Sequence, residues 1–258
     1  MTESDNGLIR QDVVEETLRL LGAAEQAGIP MRVLGGMAIV MHAGERLHPL
    51  FKREIRDIDF ATAKGNGHKA TRLLVAEGYE ANRTFNAMHG AHRLLFYDDP
   101  HDRQVDIFVG SFEMCHTLPL TERLLLEPVT LPLAELVMTK LQIVKLNAKD
   151  HDDLYALLLT HDVSDSDDEA VNAKRIAELC GKDWGLYRTF KLNLERLNED
   201  LATVDLSQED RDVIATRLQR LDDEIEAAPK SAKWKMRAKV GDRVRWYEDP
   251  DEVGKGAY

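Results

Sequence analysis

Residues 54–63, "EIRDIDFATA", constrain the fold most, because they set two carboxylates inside an apolar run. Residues two apart in a strand project from the same face of a sheet. The spacing therefore predicts Asp57 and Asp59 side by side, with Ile58 and Phe60 turned the other way into a core. Carboxylates so placed repel one another unless water or a cation lies between them. A half-buried edge strand with a solvated acidic face is the plain alternative, and only partners elsewhere in the chain can decide.

The flanking pattern predicts an α/β (α+β) fold, a mixed sheet flanked by helices and followed by a helical region. Ile9, Val13, Val14, Leu18 and Leu21 mark a helix over 8–27, with Asn6 or Asp5 as caps and Gly28 as a stop. "MRVLGG" reads as a buried strand running into two glycines, and "MAIVMHAG" as a short helix. "KGNGHKATRLLVAEGYE" is a turn, a helix and a glycine stop, while "AHRLLFY" and "RQVDIFVG" are strands joined by the turn-forming "DDPHD". From Leu131 the period becomes helical, with Leu133, Leu136, Val137, Lys140, Leu141 and Val144 on one stripe. Residues 160–170, "THDVSDSDDEA", read as an acidic linker or capped loop. Helices are expected at about 168–180, 185–203 and 207–227 from apolar spacing. The expected organisation is a core over residues 1–160 and a helical C-terminal region over 161–258 with a basic tail.

Composition narrows the function classes. The 258 residues are 43% hydrophobic and 31% charged, as in ordinary globular proteins. No apolar run approaches the roughly 20 residues that span a bilayer, so no membrane partner is expected. The N-terminus lacks a basic segment followed by an apolar one, and Cys115 and Cys180 have no CxxC spacing. A cytoplasmic setting is the expectation. A net charge of −12 argues against non-specific coating of nucleic acid, which depends on neutralising phosphates.

Three pieces of the first half fit together chemically. Gly35 and Gly36 in "VLGGMA" lie between a strand and a helix, where bare backbone N–H groups can approach an anion, although a tight turn would need the same glycines. Asp57 and Asp59 follow. Asp106, between Val105 and Ile107, repeats the pattern on a strand that could lie beside theirs. Three converging carboxylates suit Mg²⁺, which prefers a few carboxylates together with phosphates and water. Two such ions roughly 3.5–4 Å apart stabilise the attacking and leaving oxygens of a phosphoryl-type displacement.

"LGGMA", "RDIDF" and "VDIFV" in this order resemble the DNA polymerase β-type nucleotidyltransferase superfamily. "LPLAELVMTKLQIVKLNAKDHDDLYALL" is similar to the helical segment of AbiEii-type nucleotidyltransferases, often found as toxins, with Lys140 as the upstream lysine and Lys149, Asp150, Asp153 and Leu154 as the K-D-x-x-D-L pattern. The resemblance covers about residues 30–160. The 20 residues between Gly36 and Asp57 exceed the minimal spacing, so "ERLHPLFKRE" must loop out. The resemblance implies a nucleotidyltransferase-like sheet and transfer of a nucleoside monophosphate from an NTP to an RNA, protein or small-molecule hydroxyl, with release of pyrophosphate. It implies metal-binding and catalytic roles for Asp57, Asp59 and Asp106 with two Mg²⁺ (or Mn²⁺) ions, phosphate contacts from Gly35 and Gly36, and Lys140 as a counter-charge to the triphosphate. A partner antitoxin belongs to the same expectation. The alternative is a non-catalytic nucleotide- or RNA-binding module on the same scaffold.

Other motifs carry less. "KGNGHKAT" lacks phosphate-loop spacing, and His151-Asp152 and His161-Asp162 lack further metal ligands for a phosphohydrolase. His89 and His92 precede a strand rather than share a helix. Arg56 faces away from the Asp pair in a regular strand. Between Lys230 and Tyr247 stand seven basic residues and one acid, with Trp234 and Trp246 among them. Such a tail either binds a polyanion such as RNA or folds back on the acidic stretch near residues 161–169, its tryptophans packed beneath.

Overall fold

A computed structural model describes residues 9–249, which divide into two compact units. The first contains residues up to Glu45, Lys52–Phe112 and Leu118–Pro132. The second contains Arg46–Phe51, Glu113–Thr117 and everything from Leu133. The chain thus leaves the first unit at Pro132, not near residue 160. The helices on either side of Lys145 belong with the helical unit.

The first unit is a mixed sheet of five strands, β1 (Met31–Leu34), β2 (Ile58–Thr62), β3 (Glu80–Ala81), β4 (Arg93–Asp98) and β5 (Arg103–Val109), in the order β1-β2-β5-β4-β3. Only β2 and β5 are parallel; the other pairs are antiparallel. The alternation read from the sequence is realised: Ile58, Phe60, Val105 and Ile107 are fully buried, each such side chain worth about 1.5–3 kcal/mol. Helices α1 (Val13–Gln26), α2 (Gly35–Ala43), α3 (Gly67–Ala76) and α4 (Arg83–His89) complete the unit. Asp12 caps α1 through the Glu15 N–H; the expected caps Asp5 and Asn6 lie outside the described residues. His89 ends α4 and His92 lies beyond it, so the two do not share a helix face.

The second unit contains α5 (Leu133–Leu141), α6 (Ala148–Thr160), α7 (Ala173–Lys182), α8 (Trp184–Leu201), α9 (Gln208–Ala227) and α10 (Ala232–Val240). The single stripe expected through Val144 is interrupted after Leu141. The Asn193 amide donates to the Leu141 and Ile143 carbonyls at 2.8 and 2.7 Å, tying off the end of α5. Asn147 and Asp150 then form a reciprocal cap that restarts the helix as α6. The expected acidic linker is instead a short parallel pair, Asp162–Ser164 with Ala170–Asn172, because Val163 and Val171 are both core residues. In α9, Ile214, Leu218, Leu221 and Ile225 form the buried stripe.

The basic tail folds onto this unit, but not onto the acidic stretch. Asp162 pairs with Arg217, and Asp165 with Lys174 and Arg220. The Trp246 indole donates to Thr189 Oγ1 at 3.0 Å and meets Trp184 edge-on, while Trp234 packs against Tyr187. Close approach requires two glycines: a Cβ at Gly181 would lie 2.6 Å from the Pro229 carbonyl oxygen, and one at Gly185 2.7 Å from that of Trp246. No helix among the described residues is long and apolar enough to cross a membrane.

Candidate active site

The strand register assembles the site in the first unit. Asp59 of β2 stands opposite Asp106 of β5 in the parallel ladder, and Leu34 of β1 opposite Asp59. In-register residues on neighbouring strands, about 4.8 Å apart, point to the same face. Asp59 and Asp106 are therefore adjacent. Asp57 is exposed and immediately precedes β2 rather than lying within it. Its Oδ1 accepts the Gln104 backbone N–H at 3.2 Å.

Gly35 shows how tightly this corner is built. Its φ is +67°, and an added Cβ would fall 2.0 Å from Asp59 Oδ2. The glycine is needed both for its backbone conformation and for the space the carboxylate takes. Gly35 and Gly36 open α2, and no side chain caps that helix. Its first N–H groups suit an anion. At Gly36 a Cβ would lie 2.7 Å from Arg53 Nη2, so a guanidinium stands beside the same helix start.

Asp106 is buried and has both carboxylate oxygens engaged. Arg93 Nε donates to Oδ1 at 2.6 Å and Gln104 Nε2 donates to Oδ2 at 2.7 Å. The Arg93 guanidinium also lies 5.7 Å from the Phe85 ring centroid and 5.3 Å from that of Phe108. Gln104 thus touches Asp57 through its backbone and Asp106 through its side chain. Asp57 and Asp59 offer the hard oxygen donors that Mg²⁺ requires. Asp106, held by two N–H donors, does not fit the same role as built. Among the described residues no cluster of three or more His, Cys, Asp or Glu side chains is arranged to hold a metal.

Lys140 lies in the second unit. Its Nζ is 3.1 Å from Asp150 and 2.8 Å from Asp153. Burial disfavours the ammonium charge, but the Asp153 and Asp150 carboxylates outweigh that and raise its pKa above the ordinary lysine value. Lys140 and the two aspartates of the K-D-x-x-D pattern are brought together as one largely buried cluster, while Lys149 is exposed. Arg56 is engaged by Glu54 and Asp102 on the rim of an open groove of about 1050 Å³, also lined by Arg10, His101 and Arg103. The three aspartates do not line it.

Arg53, Arg93 and Gln104 were not singled out in the sequence. Gln104 was readable, being two residues before Asp106 on the same strand face. Arg93 needed the β4–β5 register, and Arg53 lies in an irregular segment without a local signal. No protein-family model matches the chain, and no curated protein matches it.

Proposed function

We propose that the chain is a divalent-cation-dependent nucleotidyltransferase of the AbiEii-like kind, moving a nucleoside monophosphate from an NTP to a hydroxyl of an RNA, protein or small molecule. The observation that carries this reading is the in-register Asp59–Asp106 pair, closed against Gly35 at an uncapped helix start. Asp57 and Asp59 would hold Mg²⁺, which neutralises phosphate charge and lowers the pKa of a bound hydroxyl. The N–H groups at the start of α2, with Arg53 beside them, suit the triphosphate oxygens. Asp106 is adjacent to Asp59, where it can orient the acceptor hydroxyl and take its proton as that oxygen attacks the α-phosphorus and the bond to the departing pyrophosphate breaks. Lys140 as a counter-charge belongs to the same proposal, in competition with the hold of Asp150 and Asp153. An antitoxin partner is consistent with this reading but has no feature of the fold behind it.

The specific observation for a non-catalytic nucleotide-binding module is the engagement of both Asp106 oxygens. Incubation with Mg²⁺, each α-labelled NTP and a cell extract separates the two readings. Label transferred to a macromolecule or metabolite, and lost in Asp57→Asn, Asp59→Asn and Asp106→Asn, supports the transferase. Nucleotide binding without transfer under any condition favours the binding module.

A further inference from the structure

The resemblance implies two metal ions shared by three carboxylates, and the side chains around Asp106 are built for something else. We propose that Arg93 is the permanent cation of this site, and that the site takes a single divalent ion, at Asp57 and Asp59. The proposal rests on the transferase reading above and alters its charge arrangement.

Three observations carry it. Adjacent carboxylates in register on β2 and β5 need a positive charge between or beside them. Arg93 supplies one directly, through a 2.6 Å contact with a carboxylate whose side chain is 5% exposed. The guanidinium is also fixed: its side chain is 18% exposed and lies against Phe85 and Phe108. For Asp106 to turn from Arg93 to a metal would strand a largely buried guanidinium, which is strongly unfavourable. Arg93 acts as a positioning residue, holding the Asp106 carboxylate in place beside the ion through its 2.6 Å contact with Oδ1.

The arrangement makes counting metal ions the decisive measurement. Mn²⁺ alone is titrated into the full chain and bound ions are counted from the loss of the free-ion paramagnetic resonance signal. Wild type is expected to bind one Mn²⁺ per chain, Asp59→Asn none, and Asp106→Asn still one. Arg93→Met, which releases Asp106, is expected to gain a second site, and Arg93→Lys to stay at one. Should Arg93→Met fail to fold, the Asp106→Asn count decides alone. Two ions in wild type, with one lost in Asp106→Asn, would overturn the proposal while leaving the transferase reading intact. No Mn²⁺ bound by any form, together with absent transfer, would overturn both.

Discussion

Replacing Gly35 by alanine tests the corner on which the site is closed. At φ +67° an L-residue carries left-handed strain of about 1–2 kcal/mol. The new methyl would also fall 2.0 Å from Asp59 Oδ2, so the carboxylate or the strand must move. Overpacking of this kind costs about 1–3 kcal/mol, giving about 2–5 kcal/mol in total. At about 2–4 °C per kcal/mol for chains of this size, the melting temperature should fall by about 4–20 °C. Gly36→Ala is the internal comparison. Its Cβ meets the far end of Arg53, a flexible side chain that can swing aside, and alanine within a helix is favoured over glycine by about 0.5–1 kcal/mol. Urea melts should therefore show Gly35→Ala strongly destabilised and Gly36→Ala near wild type. Mn²⁺ affinity should fall only in the former, because only there does Asp59 move. If Gly35→Ala matched wild type in both stability and metal affinity, the close approach of Gly35 to Asp59 would be wrong.

Lys140→Met leaves Asp150 and Asp153 buried without their shared cation and should cost about 3–5 kcal/mol. Adding Asp150→Asn and Asp153→Asn should restore much of that, and equal stability of the single and triple variants would refute the coupling. Burial lowers the His116 pKa from 6.5 to about 4, only partly offset by Asp183, so the folded state keeps the ring neutral. Its contribution is then complete above pH 6.5 and is lost as pH falls through about 4, a span worth about 3 kcal/mol. His116→Gln should flatten this acid limb in melts recorded between pH 7 and 4, whereas an unchanged limb would assign it to other groups.

The legible part of the molecule was the part governed by local periodicity. Val105, Ile107, Ile58 and Phe60 announce two buried strands because alternation depends only on neighbours in sequence, and the Gly35–Gly36 turn was readable for the same reason. Which strands lie side by side was less so: the Asp59–Asp106 register is a long-range fact, and β2 and β5 are 41 residues apart from Thr62 to Arg103. Asp57 illustrates the cost of extending a pattern too far, since β2 begins only at Ile58. The break after Leu141 was hidden because its cause, Asn193, arrives from α8. The acidic run at 161–169 disguised Val163, and Val171 just beyond it, both of which the core claims. Arg93 was invisible as a site residue for a related reason: its role is defined by Asp106, Phe85 and Phe108, none of them its neighbour in sequence.

The docking of Trp246 on Thr189 has a consequence for how the second unit is completed during synthesis. The two residues are 57 positions apart, and the indole N–H arrives after α8, α9 and α10 have all been made. At about 5–20 residues per second, Thr189 and the Trp184 ring wait about 3–11 s for their partner. Through that interval the Gly181 and Gly185 surfaces are open grooves, since the Pro229 and Trp246 carbonyls that fill them are also late. Every residue of the sheet unit has been made by Pro132, more than a hundred residues before Trp246. A nascent chain of this protein should therefore pass through a stage in which the helical unit still shows an aromatic surface to chaperones, after every residue of the carboxylate site has been made.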